Sequence, residues 1–359
     1  MAAAIVSNLD DQFRDRMALS RTAGGPWRAA WTRLRQDRWS LVALAVLAAI
    51  VLAGLFGGAI VGRVVGHNGS DPFPYATNAD LRPAGPWTHV PTTRAVLVDD
   101  YGRLLPPKQG QTTLFVLGAD GPLGRDELIR LLDGARTSLE IGLGGVIFAL
   151  LVALPIGTLA GYFGGVADAV VSRFTETVMA FPLLLFLIFA TARVSPSLRG
   201  IAFGWVVPKG VFGEALLIGA FTSFYPTRLI RAHLRTLRNA EFVEASHMIG
   251  ASNHRIMRRH LLPHVASTLL VWGAIAVGTN ILLDVGLSFI GVGVPPAAPT
   301  WGSLLSTTWG TINAPHPYNG HYFTPWQTIF PTLAILITVI SLNQLSEGVR
   351  RALEPWAQG

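Results

Sequence analysis

The chain has 359 residues, 50% of them hydrophobic and 14% charged, with a mean hydropathy of +0.44, a balance that excludes an ordinary soluble globular protein and places it in a bilayer. It contains no cysteine, which excludes a disulfide framework, a thiolate metal site and a cysteine nucleophile. The formal net charge of +7 is carried almost wholly by arginine, with Lys108 and Lys209 the only lysines. Because the arginines flank apolar runs, they read as membrane orientation rather than nucleic-acid binding.

In chain order, residues 1–40 form a polar, arginine-containing tail. The first apolar run, 41–62, starts too far along for a cleavable signal peptide and is read as a retained span. Four runs are apolar and long enough to cross: 41–62, 141–163, 265–283 and 325–343. Two weaker ones are 166–192, with Asp168, Arg173 and Glu176 in its first third, and 201–227, broken by Pro208, Lys209 and Glu214. Counting both gives about six spans and puts both termini on one side. Arginines before the first span, in the fourth connection (Arg228, Arg231, Arg235, Arg238, Arg255, Arg258, Arg259) and after the last (Arg350, Arg351) assign that side to the cytoplasm. The expectation is therefore an all-α integral membrane protein.

The connection after the first span, 63–122, would be a long extracytoplasmic loop or small insert. It is rich in turn formers, and 95–105 reads as a hairpin. It serves either as a docking surface or as a solvated loop. Leu128, Ile129, Leu131, Leu132 and Ala135 share a helical face, which suggests a helix lying in the interface before the second span. The remainder, 123–359, forms a core with five spans.

Within that core, 239–263 reads as two short helices about a hinge. Asn239 is a candidate N-cap with Glu241 in the first turn. Gly250 suits the left-handed residue that ends a helix, Ser252 or Asn253 can cap the next, and Pro263 marks entry to the fifth span. A bent helical unit of this kind can pass force into the membrane.

These residues carry a resemblance. Glu244-Ala245, Gly250 six positions after the glutamate, Ile256 and Leu262-Pro263 resemble the "EAA" loop of ATP-binding-cassette importer permeases, with Ser246 where the third small residue is usually alanine. Leu123-Gly-Arg-Asp126, Gly134-Ala-Arg-Thr-Ser138, Gly161-Tyr-Phe-Gly-Gly165, Ala180-Phe-Pro182, Leu287-Ser-Phe-Ile-Gly-Val-Gly293 and Thr300-Trp-Gly302 are similar to its dipeptide, oligopeptide and nickel branch. The resemblance runs over roughly residues 29 to 355. The long outer loop, the third and fourth connections, and Asp284 where the branch commonly has Glu depart from it. It implies a bacterial inner-membrane subunit that pairs with a homologous second permease and rests on two cytoplasmic ATP-binding subunits. It would receive substrate from an extracytoplasmic binding protein. It also implies that Glu244 makes polar contacts with an ATPase, that Phe242, Ala245 and Ile249 supply an apolar face, and that Gly250, Ile256, Leu262 and Pro263 complete the coupling loop.

The chain lacks the Gly-Lys-Ser/Thr of a phosphate-cradling loop, since neither Lys108-Gln109 nor Lys209-Gly210 supplies it. It is expected to be a non-catalytic permease with no cofactor of its own, ATP and Mg belonging to partners. Asp284 leaves three readings open: it faces the translocation path, pairs with the second permease, or lies near the outer interface. Arg173 and Glu176, three apart, are read as a structural pair, and His316 and His321 as ordinary loop residues rather than nickel ligands. Peptide import is the leading function, import of a nickel chelate or other small solute the alternative. A stand-alone secondary transporter would show coupling acids near mid-membrane and often an inverted repeat; no such repeat is evident and, apart from Asp284, no isolated acid lies at depth.

Overall fold

A computed structural model describes residues 26–77, 82–93, 111–198, 210–294, 298–313 and 324–357. The expected hairpin at 95–105, His316, His321 and the stretch 201–209 lie outside these residues.

The described chain is mostly helical. Helix α1 (Pro26–Gln36) precedes α2 (Arg38–Val65), which contains a π-helical turn at Ala53–Gly57. The tail residue Asp37 caps α2, accepting from the Trp39 amide, and also accepts from the Ser40 hydroxyl at 2.8 Å. Leu34 of α1 packs against Ala352 and Leu353 near the end of the chain, and Arg351 reaches Asp37 at 2.9 Å.

Helix α3 (Glu127–Phe163) is the central element. Asp126 caps it, accepting from the amides of Leu128 and Ile129 at 2.9 and 3.3 Å. Its 37 residues extend about 55 Å at 1.5 Å per residue. The separate interfacial helix expected around Leu128–Ala135 is instead the first turns of this span. Gly134 is accommodated as a helical residue under Trp301, and nothing between it and Ile141 lacks an amide or demands a turn.

Helix α4 (Gly165–Met179) and α5 (Leu183–Leu198) correspond to the first weak span. They form a pair bent by 88° between Gly165–Met179 and Leu183–Val194. Pro182, which cannot donate an amide, lies at the bend. Arg173 and Glu176 form an exposed pair at 3.5 Å. The second weak span appears as α6 (Val211–Thr222), continued after Ser223 by α7 (Phe224–Leu237).

Helix α8 (Glu241–Met248) is short, and α9 (Asn253–Phe289), α10 (Trp301–Asn313) and α11 (Pro325–Ala357) follow. Among the described residues, four helices are long and apolar enough to cross a membrane, or five if the bent pair counts as one span.

Helix α3 packs against α6, α7 and α9, and α11 against α2 and α9. Glycines permit the closest approach. A Cβ on Gly157 would come within 2.9 Å of the Thr227 carbonyl oxygen, and one on Gly161 within 2.9 Å of that of Arg231. In a bilayer, where lipid is as apolar as leucine, such close backbone packing supplies much of the association. Large apolar side chains left exposed, such as Val166, Phe174 and Phe189, suit a surface that meets lipid rather than water.

Before α3 the chain folds into a small cap. Strands β1 (Thr88–Pro91) and β2 (Thr112–Phe115) pair antiparallel, Thr88 opposite Phe115 and Pro91 opposite Thr112. The two-residue strands β3 (Ala119–Asp120) and β4 (Arg125–Asp126) form a second pair. Phe73, Ala76, Val90, Phe115 and Ala119 make the cap's own core, and the His67 ring meets that of Phe73 edge-on at 4.8 Å.

Candidate functional site

The loop from α7 to α9 is built from local signals. The backbone of Ala240 is extended and serves as the N-cap without a side-chain bond. Asn239, expected in that role, precedes it by one residue. Glu241 and Glu244 occupy the first turn of α8, where the helix dipole favours acids. The helix ends at Gly250, whose φ is +81°. Its amide donates to the His247 carbonyl at 2.9 Å and that of Ala251 to the Ser246 carbonyl at 3.0 Å. This pair of bonds is the Schellman cap, and it places Gly250 in the left-handed region that a side chain disfavours.

The Ser252 hydroxyl accepts from the Arg255 amide at 3.4 Å and starts α9. The second arm is not a separate short helix. It runs unbroken into the fifth span through a π-helical turn at Met257–Leu261, where the Leu262 amide donates to the Met257 carbonyl. The wider turn accommodates Pro263, which has no amide to donate and would crowd an α-helical turn. The arm and the span are therefore one continuous helix.

The eight residues expected at the coupling loop divide into two groups. Ile256 is fully buried, in a cluster with Val243, Leu261 and Val265 of the loop and α9, Ile230 and Leu234 of α7, and Ala153 of α3. Leu262 is partly buried. Phe242, Glu244, Ala245, Ile249, Gly250 and Pro263 are exposed. Ile249 is 86% exposed and its neighbour Met248, which the sequence reading did not single out, 84%. Two large apolar side chains so exposed beside a polar loop form a small surface suited to another protein.

A further residue belongs to this site. Tyr162, the penultimate residue of α3, donates its hydroxyl to Asn253 Oδ1 at 2.9 Å and lies 3.4 Å from His247 Nε2. One hydroxyl thus ties the end of a span to both arms of the bend. In the sequence this tyrosine stands out only within the Gly161–Gly165 motif, because the contact spans more than eighty positions. Nearby, Asp168 of α4 lies 3.1 Å from Arg231 and 3.7 Å from Arg235, both on α7.

Asp284 lies in the interior of the chain and is fully buried. Its Oδ1 accepts from the Ser288 hydroxyl at 3.1 Å and the Thr300 hydroxyl at 3.4 Å. Glu214 on α6 is likewise buried. One turn earlier, Asn280 donates to the Gly142 carbonyl at 3.2 Å. Among the described residues, these bonds join α9 to α3 and to the segment before α10.

Residues 153–359 match the family model described as "Binding-protein-dependent transport system inner membrane component", and residues 25–107 match the "N-terminal TM domain of oligopeptide transport permease C". The chain is 28% identical over 336 residues to the dipeptide transport system permease protein DppC of Alkalihalophilus pseudofirmus, covering 93% of this chain and 91% of the relative. It is 33% identical over 257 residues to the glutathione transport system permease protein GsiD of Pectobacterium atrosepticum, covering 71% of this chain and 76% of the relative. Among solved structures, an inward-facing form of the MetNI methionine ABC transporter aligns with a TM-score of 0.45 at 20% identity, covering 62% of this chain and 95% of that one.

Proposed function

Because the chain belongs to the family of binding-protein-dependent transport system inner membrane components, we propose that it forms half of a translocation pathway for short peptides, driven by ATPase subunits that seat against α8. The peptide assignment is supported by relatives named for dipeptide and glutathione transport, along most of the length of the former. The companion subunits are a homologous permease, two cytoplasmic ATP-binding proteins that hold ATP and Mg, and an extracytoplasmic substrate-binding protein. Both termini and the α7–α9 loop face the cytoplasm, in line with their arginines, and the cap of residues 63–122 faces the binding protein. Residues 123–359 carry the transport core.

One observation carries the coupling role. The loop exposes Glu244, Met248 and Ile249 while it buries Val243 and, beyond the Gly250 bend, Ile256. A partner that moves the exposed side moves α9 and α7 with it. Asp284 acts as an internal brace between α9 and the segment before α10 rather than as a substrate contact.

Gly250→Pro tests the lever. The ring holds φ near −65° and cannot adopt the observed value, so insertion and assembly persist while ATP hydrolysis continues without uptake. Normal uptake by that variant rules out the lever. Uptake of labelled di- and oligopeptides against nickel chelates by the reconstituted complex tests the cargo, and transport of nickel alone supports the alternative.

A further inference from the structure

A groove of about 540 Å³ opens at the end of α3 nearest the bend. It is lined by Leu154, Pro155, Thr158 and Leu159 of α3 and by Met257 and Leu262 of α9, with His254 and Arg258 also at its wall. The two basic residues are four apart at the start of α9, so they lie on one helical face one turn from each other. Both are exposed. Arg258 has no carboxylate within ion-pair distance among the described residues.

We infer that this groove is a binding site for an anionic phospholipid, its acyl chain against the α3 wall and its phosphate on Arg258 and His254. The chemistry of the lining carries the assignment. The apolar part lies one to three turns before the end of α3, within the apolar length of a candidate membrane span, the depth at which acyl chains pack. The basic part begins where that span gives way to the polar loop, at the depth of lipid headgroups. Basic pockets between spans on the cytoplasmic side select anionic headgroups in this way, and a guanidinium matches the phosphate with two parallel donors. A zwitterionic lipid fills the same apolar wall but brings its own cation to Arg258. The inference rests on the cytoplasmic orientation of α8 and α9 proposed for the permease. A lipid seated here touches both the span held by Tyr162 and the π-helical turn through which the lever enters the membrane.

The test uses the full chain assembled with its partner subunits in nanodiscs of equal phosphatidylglycerol and phosphatidylcholine, followed by native mass spectrometry of retained lipid. Wild type retains phosphatidylglycerol preferentially. Arg258→Gln lowers that preference about five-fold, the effect of one basic residue near an anionic surface, whereas Arg173→Gln, a cation outside the groove, leaves it unchanged. Leu159→Trp, which fills the groove, reduces retention of both lipids. Equal retention of the two lipids by wild type overturns the proposal, as does an unchanged preference in Arg258→Gln. A photo-crosslinker at position 159 that captures a partner subunit instead of lipid also overturns it. Retention is read without ATP or substrate, so failure here leaves the coupling role of Gly250 standing, and failure of the Gly250→Pro test leaves lipid retention interpretable.

Discussion

The cap and the α7–α9 loop sit at opposite ends of α3 and both connect apolar helices, yet they are held differently. In the cap, charge is buried. Asp120 lies 2.5 Å from Arg130 and 3.1 Å from Arg125, and His67 lies 3.1 Å from Asp126. Gln327 of α11 donates to the Ala119 carbonyl at 2.7 Å. The cap is thereby fastened to the first turns of two spans. The loop instead keeps Glu241, Glu244 and most of its arginines exposed and enters the core mainly through Val243 and Ile256. By these contacts the cap end is the more heavily anchored of the two, and the loop has fewer buried contacts to lose in a local opening.

Breaking the cap is expected to have the largest effect. Arg130→Ala leaves the buried Asp120 without its closer partner, and removing one member of a buried pair costs about 3–5 kcal/mol. Thermal unfolding of the purified complex should fall steeply, with protease cutting within the cap. Stability equal to wild type contradicts the weld.

At the other end, Ile256→Ala removes a fully buried side chain of the loop. Large-to-small changes at such sites cost about 2–5 kcal/mol. Because the cluster also holds α7, α9 and α3, both stability and coupled uptake should decline, whereas Ile249→Ala, on the exposed side, should lower ATPase association without lowering the melting temperature. Equal effects on melting erase the distinction between the two faces.

Tyr162→Phe sharpens the comparison further. The change removes one partly exposed hydrogen bond, worth about 0.5–1.5 kcal/mol, so folding is nearly unaffected. The expected result is a lower ratio of transport to ATP hydrolysis. An unchanged ratio reduces Tyr162 to packing.

The smallest expected effect concerns acid. The Ser40 hydroxyl bond to Asp37, joined by the charge of Arg351 and the Trp39 amide, holds its carboxyl below the ordinary value of 3.8. For a depressed carboxyl, the stabilising contribution is full above the unfolded value and is lost as pH falls through the folded one. The α1–α2 junction should be insensitive from neutrality to about pH 4 and loosen below it. Hydrogen exchange at the Trp39 amide, corrected for its intrinsic pH dependence and compared with Asp37→Asn, reads this directly. Identical profiles for the two proteins refute the cap's role.

Much of the fold is legible residue by residue. The four clean apolar runs lie in four long helices, and Gly250 adopts the left-handed backbone expected of a helix stop. The weaker runs contained their own warning, since Asp168 and Pro182 mark a segment that bends by 88°. The cap was less legible. Its strands β1 and β2 flank the expected hairpin, with pairing set by partners more than twenty residues apart rather than by a two-residue turn.

By itself the sequence determined the class of molecule, because free backbone amides cannot be left in hydrocarbon and long apolar runs must therefore become helices. It also determined the helix stop and the arginine asymmetry, which depend on local chemistry. Only the tertiary structure decided that Ile256 points in while Ile249 points out, that Tyr162 joins α3 to both arms of the bend, and that Asp284 bonds within its own chain. The reason is physical. Lipid and protein core are equally apolar, so hydrophobic periodicity shows that a helix is buried in the membrane without showing which face meets another helix. Packing of glycines, hydroxyls and carboxyls makes that choice.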